Sequence, residues 1–232
     1  MTPSHFDREP MGTESGAPAR IYLQPIAAPS ILGLFGFAGA TFMVAANMAG
    51  WYGTANSMYA LMPFAVMFGG IAQFLSGMWA FKARDGIATA MHGMWGSFWI
   101  AYGVLGWLML NGRIPNPGIV FPELGYWFIV LAAITWMGTL AAFATNISLV
   151  LVLGTLAAGS TLEAIARLAG NEACQIAAGY LFIISAIVAW YTASALMFEE
   201  AFGHPILKAG RRRSEQRSIT AGTGEPGVIR GQ

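Results

Sequence analysis

From Ile31 to Phe81 the chain runs without one Asp, Glu, Lys or Arg. A soluble domain cannot wet its surface over such a length without charge, so this stretch directs the chain toward a bilayer. The charges that follow come in clusters: Lys82, Arg84 and Asp85, then Arg113 and Glu123, then Glu163, Arg167 and Glu172. Between the clusters lie apolar runs of about twenty residues, the length that crosses roughly 30 Å of hydrocarbon as a helix. Only 10% of the 232 residues are charged, against roughly 25% in a soluble domain. The spacing predicts an all-α integral membrane protein with six transmembrane helices, near Ile31–Gly50, Met58–Ala80, Ile87–Leu110, Leu124–Ala144, Ile147–Ala166 and Ala173–Phe198.

Three regions follow from this pattern. Residues 1–27, rich in Pro, Gly, Ser and Thr, read as a flexible polar tail, and no signal peptide is expected in them. Residues 28–207 form the six-helix membrane domain, and residues 208–232 a basic, disordered tail. The segment "NGRIPNPGIVFPE" (111–123), with its three prolines, suits an ordered loop outside the bilayer. An even number of spans puts both chain ends on one side. With the ends inside, Arg8, Arg20, Lys82, Arg84, Lys208, Arg211, Arg212, Arg213, Arg217 and Arg230 are inside, and only Arg113 and Arg167 are outside. That asymmetry orients both termini to the cytoplasm of an inner (plasma) membrane. The single cysteine, Cys174, precludes an intrachain disulfide.

Polar residues inside the spans are the candidates for function. Gln73 is an amide in an apolar helix, and it needs hydrogen-bond partners or a wet path. Helix packing and pore lining both remain open for it. Gly69, Ala72, Ser76 and Ala80, with Gly77 beside them, give that helix a small face that lets another backbone approach. His92 is the one histidine within a span, read either as a hydrogen-bonded group near the cytoplasmic end or as a proton relay. Glu163 and Arg167, four apart, read as an ion pair first and as a pore vestibule or proton-relay site second. Asn47 reads as a cap of the first span. Trp51, Tyr52, Trp79, Trp107, Tyr126 and Trp127 cluster near span ends, where aromatic belts are expected.

The absences bear on class. Lys82 and Lys208 lie at or beyond span ends, so no lysine is placed for a Schiff base. No His, Cys, Asp and Glu set has metal-ligand spacing, and neither a phosphate loop nor a nucleophile elbow occurs. No enzyme activity, cofactor, metal or nucleic-acid partner is expected.

The stretch "GGIAQFLSGMWAFKARDG" (69–86), with "LGLFGF" (32–37), "GMWGSFW" (93–99) and "EEAFGHPIL" (199–207), resembles the acetate uptake transporter family. The resemblance implies a homo-hexamer in the lipid bilayer, each protomer with its own pathway for acetate, related short monocarboxylates and sometimes succinate. It places a hydrophobic constriction on Phe37, on Trp95 where the family has Tyr, and on Leu153, or on Leu156 if the chain is aligned with a gap. It also places Gln73 beside the pathway. Ala28-Pro29-Ser30-Ile31 stands where the family has Asn-Pro-x-Pro, and Leu196 where it has Glu. With no Lys or Arg in a span core, the solute would cross on neutral donors or as the neutral acid, proton-coupled or passively. A pathway for another small solute such as ammonia, and a non-transporting scaffold or sensor, are the alternatives.

Overall fold

Helix ends are set by local chemistry that the sequence carries openly. The computed structural model describes residues 26–54 and 56–210; the tails expected at 1–25 and 211–232 lie outside the described residues. The elements are α1 (Pro29–Met48), α2 (Ser57–Phe64), a π-helical stretch (Ala65–Ala72), α3 (Gln73–Lys82), α4 (Gly86–Leu110), α5 (Pro122–Ala142), α6 (Ile147–Ala169) and α7 (Glu172–Phe202). Proline opens α1 and α5, where its missing N–H would be unpaired anyway. Asp85, Asn146 and Asn171 cap α4, α6 and α7, each accepting a backbone N–H from the first turn. Gly170 and Gly203 close α6 and α7 in the left-handed conformation.

Among the described residues, six helical spans are long and apolar enough to cross a membrane, with α2, the π stretch and α3 joined as the second. The expected spans therefore hold, with ends displaced by a few residues: α6 runs on to Ala169, taking Arg167 into the helix, and α7 runs to Phe202. Asn47 is not a helix cap; its amide donates to the Tyr52 carbonyl at 2.9 Å and ties down the loop after α1.

The spans form a closed ring. Helix α1 packs on α7 and on the second span, α3 and the π stretch pack on α4, and α6 packs on α5 and α7. The weakest neighbour contact in the ring is α4 against α5. The face carrying the start of α1 and the end of α7 is here called proximal, the other distal.

The π stretch is the feature that spacing did not predict. It follows Pro63, which removes a backbone donor inside α2, and it spans the Gly69–Gly70 pair. Its wider i→i+5 bonding leaves Gly69, Gly70 and Gln73 all buried. The predicted small face is used for close approach. A methyl on Gly77 would lie 2.6 Å from the Gly93 backbone nitrogen of α4, and one on Gly36 would collide with the Phe68 carbonyl.

Beyond α7 the described chain reaches Gly210 and packs back on α6 and α7. The Ala209 and Gly210 carbonyls accept the N–H groups of Ser148 and Ile147, both at 3.2 Å. Tyr191 donates to the Lys208 carbonyl at 3.1 Å.

Gly77→Ala is expected to destabilise the fold by about 1–3 kcal/mol through overpacking, read as a lower unfolding midpoint in detergent. Gly39→Ala is the control: its added methyl meets nothing within 4 Å, so the midpoint should hold or rise.

Candidate functional site

Two chambers lie along the axis of the ring. The proximal one has a volume of about 730 Å³, inside the roughly 300–1,000 Å³ typical of small-molecule sites. Its mouth is bordered by Arg84, Asp85, Thr145, Asn146 and Ala209, and its deeper wall by Leu34, Phe37, Gln73, His92, Trp95 and Leu153. The distal chamber is far smaller, about 40 Å³, and is bordered by Thr41, Trp99, Tyr102, Phe128, Glu163 and Arg167 among others.

Trp95 and Leu156 border both chambers and so form the partition between them. Phe37 packs against Trp95 edge-on, with ring centroids 6.4 Å apart at 70°. All three side chains are buried in one hydrophobic cluster. Leu153, three residues before Leu156, borders the proximal chamber alone. Of the two alignments that the resemblance left open, the one with a gap thus puts its leucine in the partition.

Helical spacing explains how α4 supplies this wall. His92, Trp95, Trp99 and Tyr102 recur at three and four residues and share one face, where Trp95, Phe98, Trp99 and Tyr102 make a chain of ring contacts. The Trp95 indole is not free to bind a solute. Its N–H donates to Thr135 Oγ1 at 3.0 Å, and Thr135 in turn donates to the Leu131 carbonyl at 2.6 Å. The single indole N–H is therefore committed to α5 rather than offered to a carboxylate.

The proximal chamber has a polar wall. Gln73 Nε2 stands 3.5 Å from His92 Nδ1, with both side chains buried. Ser76 beside them donates to the Pro29 carbonyl at 2.6 Å. A methyl on Gly33 would lie 2.5 Å from Ser76 Oγ and 2.6 Å from the His92 ring. Glycine in α1 is thus what lets these side chains meet at the start of that helix.

Glu163 and Arg167 form the expected pair, Nε to Oε1 at 2.7 Å. Arg167 also donates to the Gly118 carbonyl at 3.2 Å, and its own carbonyl accepts the Phe121 N–H at 2.9 Å, which anchors the 111–121 loop. Among the described residues, four buried polar side-chain atoms lack a hydrogen-bond partner: Thr41 Oγ1, Gln73 Oε1, Trp99 Nε1 and Glu163 Oε2. Each belongs to a residue that borders a chamber.

The structure thus brings Trp95 to the partition with Phe37 against it, places Phe37, Leu153, Gln73 and His92 on the proximal wall, and places Glu163 in the distal chamber. Sequence reasoning missed Thr41, Trp99 and Thr135. The spacing of His92, Trp95 and Trp99 was the available signal for one of them. The two threonines lie in runs where a hydroxyl is ordinary.

The model of the GPR1/FUN34/yaaH family matches residues 12–206. The chain is 28% identical over 187 residues to the succinate-acetate/proton symporter SatP of Escherichia coli K12, covering 80% of this chain and 96% of that protein. It is 26% identical over 182 residues to the ammonia transport outward protein 2 of Saccharomyces cerevisiae, covering 77% of this chain and 64% of that one. The solved structure of the bacterial acetate channel SatP matches with a TM-score of 0.74 and 25% identity, over 80% of this chain and 100% of that one. The resemblance drawn from residues 32–37, 69–86, 93–99 and 199–207 is thereby borne out, and the chain belongs to the GPR1/FUN34/yaaH family.

Proposed function

We propose that the chain is a membrane pathway for acetate and related short carboxylates, succinate included. The observation that carries this reading is a pair of chambers separated by Trp95 and Leu156, with Phe37 packed on Trp95 from the proximal side, in a chain similar to a succinate-acetate symporter and an acetate channel. Phe37, Trp95 and Leu156 are the constriction, with Leu153 one turn along α6 toward the proximal chamber. The proximal wall meets the solute with an amide, an imidazole and hydroxyls, so a carboxylate there is held by neutral donors. Gln73 and His92 are its polar contacts.

The asymmetry of Lys and Arg supports cytoplasmic termini, so the proximal chamber opens to the cytoplasm of the plasma membrane. Large side chains such as Trp107, Tyr126 and Leu140 are exposed on the outer surface of the ring. They suit contact with lipid and with further copies in a homo-hexamer. The ammonia reading keeps one support, the yeast relative, and competition separates it from the first.

Protein-dependent uptake of labelled acetate into proteoliposomes, measured above protein-free vesicles, is the first test. Competition by succinate and propionate is expected; flux blocked by ammonium but not by carboxylates would move the reading to ammonia. The constriction has its own test. Trp95→Tyr keeps an aromatic ring against Phe37 but shortens the side chain, so succinate flux should rise several-fold relative to acetate. An unchanged ratio would remove Trp95 from the path. Gln73→Leu should reduce acetate flux at least severalfold with assembly intact by size-exclusion chromatography; full flux would return Gln73 to a packing role.

A further inference from the structure

The distal chamber concentrates unspent hydrogen-bonding capacity. Of the four buried polar side-chain atoms without a partner among the described residues, three belong to residues that border it: Thr41 Oγ1 from α1, Trp99 Nε1 from α4 and Glu163 Oε2 from α6. An unpaired buried polar group costs about 1–3 kcal/mol, so three beside one small cavity point to a solute or water that pairs with them. The volume of about 40 Å³ is roughly three times the 10–15 Å³ that one water requires, which suits a molecule of a few heavy atoms.

The types of group narrow the choice. Trp99 can only donate, and Thr41 can donate or accept. Glu163 has given Oε1 to Arg167, which leaves Oε2 as an acceptor. The Glu163–Arg167 pair carries no net charge, and Arg167 also donates to Gly118. An acetate anion would place its oxygens against Oε2 with no proton between them. A carboxylic acid fits all three groups: its O–H donates to Glu163 Oε2, and its carbonyl accepts from Trp99 and Thr41. We propose that the distal chamber is a binding station for the protonated form of a short carboxylic acid, and that Glu163 distinguishes acid from anion there. The titratable groups facing Glu163 across the chamber are Arg167 on α6 and Tyr102 on α4; α1, α5 and α7 contribute none to its lining.

The proposal rests on the carboxylate reading, and its test uses the full chain in detergent with acetate and acetamide as probes. Acetamide has a donor and a carbonyl like the acid, but it does not ionise in this range. Acetate affinity, expressed as total acetate, should weaken about tenfold per pH unit from 5.5 to 7.5, because the acid fraction falls by that factor above a carboxyl pKa near 4. Acetamide should compete equally across the range. Glu163→Gln keeps an oxygen for Arg167 and replaces the spare acceptor with a donor, so the acetate slope should flatten to less than twofold over the range. Trp99→Phe removes one donor and should weaken acetate and acetamide five- to tenfold while keeping the slope; this variant decides the matter if Glu163→Gln does not assemble. A slope unchanged in Glu163→Gln, or probes indifferent to Trp99→Phe, would overturn the station and leave the chamber to water. Absence of acetate binding at every pH, with no liposome uptake, would instead overturn the carboxylate reading itself.

Discussion

Inside a bilayer every polar group must find its partner within the protein, and that demand organises the interior of this ring. Most hydroxyls on the spans meet it locally by turning back to a carbonyl one turn earlier: Thr135 to Leu131, Ser160 to Leu156, Thr192 to Val188 and Ser194 to Trp190. Thr135 does more, because its oxygen also accepts the Trp95 N–H. The orientation of the indole at the partition is therefore fixed by a helix on the other side of the α4–α5 seam, where direct packing is weakest. Against this background, a polar atom left without a partner is informative, and all four belong to residues that border the chambers.

The same solvent explains why the ring can be hollow. Lipid gives no hydrophobic reward for burying a large side chain between helices, so association relies on close backbone contact through small residues. Ala, Gly and Ser accordingly fill the interfaces, as at Gly77 against Gly93, while large side chains face outward. In an interior built this way, a few bulky groups suffice to close the lumen. Trp95 and Leu156 stand between the chambers with Phe37 against the indole, and Phe98, Trp99, Phe128 and Phe182 narrow the distal side.

The spans, their order and the small face of the second were legible in the sequence because charge exclusion and helical spacing report directly on them. Glu163 and Arg167 were legible for the same reason: four residues apart on a helix, opposite charges meet. The π stretch was not, since a proline at 63 followed by glycines at 69 and 70 is equally compatible with an ordinary kink. Nor was the engagement of Trp95, because an indole's partner on another helix leaves no trace in local spacing. Ser76 shows the same limit, read as one small residue among several and found bonded to the Pro29 carbonyl.

The unequal size of the chambers bears on where selection takes place. A solute in the proximal chamber has room to keep part of its water, so an anion there loses little hydration and Gln73 and His92 need supply only a few contacts. In the distal chamber there is room for the solute and almost nothing else. A carboxylate would surrender its water there, at a cost far above that of a neutral polar group. The neutral acid is thus favoured by confinement alone, before any contact with Glu163, and the spare acceptor adds discrimination where hydration is already lost. On the proposed reading, discrimination between acid and anion therefore falls to the distal chamber, and the wide proximal chamber tolerates either form.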